Sequence, residues 1–480
     1  MSNGLVIPQS IEQLSKLLVD LKLVSADELR TALSQAGRGK SVPEILRHLE
    51  QQHLLTPFQT ARIEKGEIDG LVIGGCKLLY QNAAGSFARV YRACRIDTGQ
   101  MIGIKVLRDR WARDPDSVAL FRREGEIGQR LKHPHIVPTY EVGQSGRFHY
   151  ITMEFVEGGN LRDFMKIRKK LVPEEALRYG LHIARGLEGA LAVGMTHRDM
   201  KTTNVLLTLQ GVAKLIDFGL ASDDALAGRT NDDLAQALEY ATLEKHTGAP
   251  KNDPRSDLFF LGGILYELLS GELPYPRTRD RDERKNFSRY RDIKPLAMVA
   301  PSLPLSVTRI VSKLLEISPI QRYQTPTELA ADLEKVLTDL GHPPAPTTPS
   351  AGSALSKEAK ILLCVEHRAS RQDLLRDYFT KKGYRVLLLP DGARAVNRLK
   401  NTPAQGVIFF GDSAGVDVKN EFEQALAQTE GQKTAVVMVL AESDQALAKE
   451  YEGKHPRGVV LRQPISLRHL RKSMEEVLKN

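Results

Sequence analysis

Asp199, Lys201 and Asn204 stand close together in one short stretch, and between them they supply a carboxylate, an ammonium and an amide oxygen. A carboxylate can orient a hydroxyl and take its proton, an ammonium can steady a transferring anion, and an amide oxygen suits a hard cation. Asp217 adds a second oxygen ligand downstream, while Lys105 and, nineteen residues later, Glu124 offer a pairable cation and anion upstream. Moving a phosphoryl group onto a hydroxyl needs a phosphate anchor, metal charge and a group that orients the attacker. All three are present in order. Taken singly, Lys105 with Glu124 would read as a surface pair and Asp217 as a turn residue.

The surrounding residues make the pattern specific. His197-Arg198-Asp199-Met200-Lys201-Thr202-Thr203-Asn204 resembles the catalytic loop of protein kinases, and Asp217-Phe218-Gly219, after Leu215 and Ile216, resembles their magnesium-binding motif. Ile102-Gly103-Ile104-Lys105 resembles the strand that carries the phosphate-binding lysine. Aligning on Val90 puts Ala83, Gly85 and Ala88 where the family has three glycines, and Asn82 where it has an aliphatic roof over adenine. Met153-Glu154-Phe155-Val156 resembles the gatekeeper and hinge, with Leu206 as the floor of the nucleotide pocket. Asp257-Leu-Phe-Phe-Leu-Gly resembles the opening of a long buried helix, and Glu244 and Arg322 match a structural ion pair.

The resemblance implies a bilobal kinase fold and an ATP- and magnesium-dependent enzyme acting on protein hydroxyls. In that reading Asp199 orients the hydroxyl and accepts its proton, and Lys201 stabilises the transferring group. Lys105, paired with Glu124, holds the α- and β-phosphates, while Asn204 and Asp217 hold Mg2+. Ala83, Gly85, Val90, Met153, Glu154, Val156 and Leu206 line the ATP site. Lys201 two places after Asp199 resembles the serine/threonine subclass. The alternative is a pseudokinase scaffold, supported by Ala237 at the position of a threonine that bridges to the catalytic residues. Arg198 is expected to meet a phosphorylated loop residue such as Thr230, or one of Asp223, Asp224, Asp232 and Asp233 in its place. The basic runs Lys166 to Lys170 and Arg277 to Lys294 read as a solvated helix face and loop, and His133 and His135 as structural.

These residues need scaffolding. A chain of 480 residues exceeds a single core, and 41% hydrophobic with 26% charged residues is a globular composition that excludes wholesale disorder. Ser10, Ser25 and Ser41 precede Gln13, Glu28 and Glu44 by three places, and Thr56 precedes Pro57, so four helix starts are expected within residues 1–72. Lys77 to Tyr80, Ala88 to Arg95 and Met101 to Leu107 predict an antiparallel meander opening the kinase domain at 73–338. Prolines and small residues mark a linker over 339–356. In 357–480 five apolar runs, Ile361 to Val365, Val386 to Leu389, Val407 to Phe410, Val436 to Leu440 and Val459 to Leu461, alternate with helical stretches, which predicts a doubly wound, flavodoxin-like α/β domain.

That last domain resembles a response-regulator receiver through Lys360 to His367, Gly383-Tyr-Arg-Val and Asp391-Gly392. The receiver's chemistry is missing. Glu366 has His367 where a second acid belongs, Gly411 holds the acceptor position with Asp412 one place late, Leu440 replaces a hydroxyl, and Gln463 before Pro464 replaces a lysine. A partner-binding or dimerisation role is expected. The whole resembles bacterial kinases of the eukaryotic type, which implies a cytoplasmic location, a protein substrate and a signalling partner for the terminal domains.

A net charge of +9 arises from 68 basic against 59 acidic residues, so a mixed surface is expected and no nucleic-acid partner. Three scattered cysteines exclude a disulfide framework. No signal peptide or membrane insertion is expected, since the apolar stretch Leu258 to Leu269 is short and contains Glu267.

Overall fold

The structure is a computed structural model. It describes residues 7–37, 39–52, 54–208, 211–218, 231–276, 278, 280–343, 360–366, 371, 375, 378–379, 382–389, 392–401, 404–411, 418–429, 433–441, 444–451 and 457–478. Two compact units are present, one of residues 67–349 and one that takes in 1–66 and 350–480.

Helices α1 (Ile11–Asp20), α2 (Ala26–Ala36), α3 (Val42–Gln51) and α4 (Pro57–Glu64) begin at the expected caps. Ser25 and Glu28 form a reciprocal capping box, as do Ser41 with Glu44 and Thr56 with Gln59. Each box satisfies backbone N–H groups that the first turn leaves without partners.

In the middle unit β1 (Val72–Ile73), β2 (Cys76–Ala84), β3 (Ala88–Arg95), β4 (Met101–Leu107), β5 (Thr139–Ser145) and β6 (Phe148–Glu154) form one antiparallel sheet in the order β1-β2-β3-β4-β6-β5. Helix α5 (Pro115–Arg130) starts at Asp114, whose carboxylate accepts the Ser117 N–H at 3.1 Å. Below the sheet lie α6 (Leu161–Arg168), α7 (Pro173–Leu191), the hairpin β7 (Val205–Leu207) and β8 (Ala213–Leu215), α8 (Asn231–Thr247) and α9 (Pro254–Ser270). Helix α9 is buried almost all round, as a helix apolar on every face must be. It packs on α7 and on a later helix, Leu305–Leu314, while helix Pro326–Asp339 packs on those two, and together they complete one large apolar core.

The other unit contains five parallel strands, β9 (Lys360–Val365), β10 (Tyr384–Leu389), β11 (Gly406–Phe410), β12 (Ala435–Leu440) and β13 (Gly458–Arg462), in the order β10-β9-β11-β12-β13. Leu362, Cys364, Ile408, Phe410, Val437 and Val439 share a core with Leu470 and Met474 of helix Leu467–Val477. The intervening Leu363, Val407, Phe409 and Met438 are equally buried, so both faces of this sheet are covered.

Candidate active site

Register places Lys105 before any side-chain argument is needed. On β4 it pairs with Val90 of β3 and Ile151 of β6, in the middle of the sheet. Its Nζ lies 2.5 Å from Glu124 Oε1 and 2.8 Å from Asp217 Oδ1. Burial alone would pull the lysine pKa down, but the Asp217 and Glu124 carboxylates outweigh it and raise it well above the ordinary value. Burial works the other way on Asp217, and there too the facing ammonium wins, holding the carboxyl below its usual range. Lys105 is charged throughout the physiological range.

Glu124 reaches Lys105 because α5 lies close on the sheet. A Cβ on Gly125 would meet Val142 Cγ2 at 2.5 Å and Ile151 Cγ1 at 3.0 Å. Only a residue without a side chain lets the helix approach that near.

The catalytic-loop residues form a second cluster. Asn204 Nδ2 donates to the Asp199 carbonyl at 3.0 Å and to its Oδ2 at 2.7 Å, and Lys201 Nζ lies 2.8 Å from the same Oδ2. The loop is held from beneath by Asp257 on α9, whose carboxylate accepts the His197 N–H at 2.8 Å, the Arg198 N–H at 2.9 Å and the Tyr240 hydroxyl at 2.8 Å. Tyr240 in turn accepts the Met200 N–H at 3.3 Å. The holding role of Asp257 and Tyr240 went unread in the sequence, although Asp257 opens a recognisable motif.

Two bonds join this loop to Asp217. The Ile216 N–H donates to the Asn204 carbonyl at 3.1 Å, and His197 Nε2 lies 2.9 Å from the Ile216 carbonyl. The His197 ring also packs on Phe218 with centroids 4.4 Å apart. Burial pushes the His197 imidazole down to about 4, so it is neutral near pH 7 and can donate to that carbonyl. Arg198 and Asp217 both adopt left-handed backbone, at φ 61° and 62°. Such conformations cost about 1–3 kcal/mol each in non-glycine residues and persist where surrounding bonds over-determine them.

The residues expected to face a nucleotide lie on and between β2 and β3, on β6 and β7 and just after β6. Ala83 pairs with Val90 across β2 and β3, and the hairpin between them turns at Gly85, whose N–H donates to the Ala88 carbonyl at 3.0 Å. Met153 and Glu154 end β6, Val156 follows buried, and Leu206 lies on β7. Glu154 is tied to Lys214 at 2.5 Å. Gly158 lets the segment after the hinge pass β7, since a Cβ there would collide with the Leu207 carbonyl. As a donor set, the Asp217 carboxylate and the amide oxygen of Asn204, whose side chain donates through Nδ2, are the hard oxygens that Mg2+ prefers.

Two expectations meet a different outcome. Glu244 does not pair with Arg322: the Arg322 guanidinium donates to the carbonyls of Glu316, Ile317 and Arg255 at 2.7, 2.8 and 3.1 Å. Glu244 instead lies 3.7 Å from Arg198 Nη2, with burial raising its pKa against the pull of that guanidinium. Asp232 and Asp233, expected in a loop, fall within helix α8. Gly219, Thr230, Asp223, Asp224, His367, Asp391 and Asp412 lie outside the described residues, as do the side chains of Asp232, Asp233 and Ala237. His133 and His135 are structural as read: the His135 ring stacks on His182 at 4.4 Å, and its Nδ1 lies 3.1 Å from the Ala213 carbonyl.

In the other unit Glu366, at the end of β9, is fully buried and 2.9 Å from Arg371. Gly411 follows β11, Leu440 ends β12 fully buried, and the Gln463 N–H donates to the Leu440 carbonyl at 2.9 Å. Among the described residues no helix is long and apolar enough to cross a membrane.

A family model described as the protein kinase domain matches residues 83–333. A probable serine/threonine-protein kinase of Clostridium perfringens is 32% identical over 273 residues, covering 56% of this chain and 39% of that protein. A probable serine/threonine-protein kinase of Streptomyces coelicolor is 35% identical over 262 residues, 53% of this chain and 38% of that protein. Serine/threonine-protein kinase PrkC of Bacillus subtilis is 31% identical over 273 residues, 55% of this chain and 40% of that protein. The match therefore spans well under half the length of these relatives.

Proposed function

This chain belongs to the protein kinase family, and we propose that it transfers the γ-phosphoryl group of ATP to serine or threonine hydroxyls of protein substrates. The observation that carries the reading is the convergence of Lys105 on both Glu124 and Asp217, beside the cluster of Asp199, Lys201 and Asn204. Bound Mg2+ would supply charge neutralisation on the phosphates, with Asp217 and Asn204 as its protein ligands. Lys105, oriented by Glu124, binds the α- and β-phosphates. Asp199 Oδ2 is the atom that orients the acceptor hydroxyl and takes its proton, and Lys201, beside it, stabilises the charge of the group in flight. Ala83, Gly85 and Val90 cover the phosphates, while Met153, Glu154, Val156 and Leu206 enclose the base. The pseudokinase alternative draws no support from these side chains, which are all present and mutually bonded.

The test is phosphosite mapping by mass spectrometry after incubation with ATP and magnesium. Phosphate on serine or threonine is expected; phosphate on tyrosine alone, or none, contradicts the assignment.

For the parallel-sheet domain we infer a receiver-like, flavodoxin-like fold that binds a partner and does not carry an aspartyl phosphate. Its strand order, with the first strand second from the edge, supports the fold. The Arg371 guanidinium on Glu366 and the apolar Leu440 support the loss of chemistry, because a tethered cation already neutralises the acid that a metal would need. Acetyl phosphate and magnesium should leave no base-labile phosphate on the chain, and an adduct lost on Asp412→Asn would contradict this. The four capped N-terminal helices are proposed as an interaction or regulatory module, and the chain as a cytoplasmic signalling protein of bacterial type.

A further inference from the structure

The stretch Arg277 to Lys294 holds eight basic residues against four acidic ones, and read alone it is a solvated loop. Two of its arginines are not solvated. The side chains of Arg284 and Arg289 are only 13% and 7% exposed, and they face Glu239 of α8 at 4.0 and 3.6 Å. Arg289 is fixed further by a bond from Nη2 to the Pro276 carbonyl at 2.5 Å and by the rings of Tyr275 and Tyr290 beneath its guanidinium. Yet Arg289 Nε and Arg284 Nε are buried and make no hydrogen bond. Buried donors left unmade cost about 1–3 kcal/mol each, a cost that a ligand drawing the two guanidinium forks toward itself would relieve. The other basic run behaves differently: Lys166, Lys169 and Lys170 are exposed.

Position gives the pair its meaning. Glu239 is the neighbour of Tyr240, which is bonded to Met200, the residue between Asp199 and Lys201. Two guanidinium groups sharing one carboxylate carry a net positive charge, and they do so beside the catalytic loop. Their flat forks match a carboxylate or phosphate better than an ammonium would.

We propose that Arg284 and Arg289 form a specificity subsite that reads an anionic side chain, aspartate, glutamate or a phosphorylated residue, near the acceptor hydroxyl of the protein substrate. Glu239 is the internal carboxylate that holds the subsite between substrates. This rests on the kinase reading above, and it adds the substrate class.

The test uses the full chain and fluorescent serine peptides identical except for Asp, Asn or phosphoserine at successive positions around the acceptor. Binding is read by anisotropy and transfer by steady-state kinetics. At the best position kcat/KM for the Asp or phosphoserine peptide should exceed that for the Asn peptide about tenfold, through KM, and the ratio should shrink with salt. An Asp peptide that matches the phosphoserine one assigns the site to acidic residues, and a phosphoserine peptide alone preferred assigns it to primed substrates; either supports the subsite. Arg284→Gln with Arg289→Gln should bring the ratio to about one, and Glu239→Gln should raise it. Should the double variant fail to fold, Arg284→Gln alone should lower the ratio about threefold, since it removes one of the two forks. A wild-type ratio of one in both assays, a preference for basic peptides, or a ratio that these variants leave unmoved overturns the proposal. Anionic preference in binding with no transfer contradicts the kinase reading instead and upholds the subsite.

Discussion

Lys105→Met leaves Glu124 and Asp217 facing each other without the ammonium that both now contact. Asp217→Ala removes the carboxylate that meets Lys105 opposite Glu124. Each change should lower kcat at least about a hundredfold, the scale of losing one preorganised electrostatic contact to the transferring group, while the circular dichroism spectrum stays that of the wild type. Near wild-type turnover in either folded variant would show that the site residues are misassigned. At this scale the sequence was unusually readable, because a motif of charged residues at set spacing names its own members. Unreadable were the left-handed backbones of Arg198 and Asp217 and the triple acceptance by Asp257, since neither an arginine nor an aspartate advertises its own φ or the donors it will meet in the fold. The swap of partners at Glu244 has the same origin. A buried carboxylate takes whichever guanidinium the fold brings near, and three backbone carbonyls had already claimed Arg322.

Helix α5 shows how an element can set the distance between two such residues. Gly125→Val would place a branched side chain against Val142 and Ile151, where even one carbon has no room. The helix must move outward or the sheet must yield, at a cost of about 1–3 kcal/mol in stability. Glu124 then draws away from Lys105. Steady-state kinetics should show a lower kcat and a raised KM for ATP. A Gly125→Val enzyme with unchanged kinetics would mean that the Lys105 to Glu124 contact does not depend on helix approach. Strands β3 and β4 were legible to the residue because β-rich runs end at clear turn signals on both sides. Helix α8 was not. Its buried residues include Glu239 and Glu244 as well as Tyr240 and Leu243, so no apolar stripe announces a helix there.

The middle unit as a whole carries a predictable acid sensitivity. Burial lowers the imidazoles of His135 and His197 to about 4 and that of His182 to about 3, from an ordinary 6.5. The unfolded chain protonates these rings near pH 6.5, but the folded one resists until pH 3 to 4. Between those values the unfolded state binds more protons, so stability is full above pH 6.5 and is lost as the pH falls through that window. A melt followed by circular dichroism should show a transition several degrees lower at pH 5 than at pH 7.5. His182→Phe should blunt that fall by removing one titrating ring from the stack on His135; an equal fall in the variant would assign the acid sensitivity elsewhere.

Prolines and a change of periodicity suggested three domains, whereas two compact units are present, with 1–66 and 350–480 in one of them; the role of each terminal segment was not legible, because capped helices and a covered parallel sheet serve many purposes. The central claim concerns the middle unit, and one measurement bears on it directly. Incorporation of labelled phosphate from γ-labelled ATP with magnesium should be compared between the wild-type chain and Asp199→Asn, which keeps the shape of the side chain but removes the proton acceptor. Transfer to serine and threonine by the wild type, reduced at least about a hundredfold in a variant with the same circular dichroism spectrum, is the predicted result. A wild type that incorporates no more phosphate than Asp199→Asn would contradict the account.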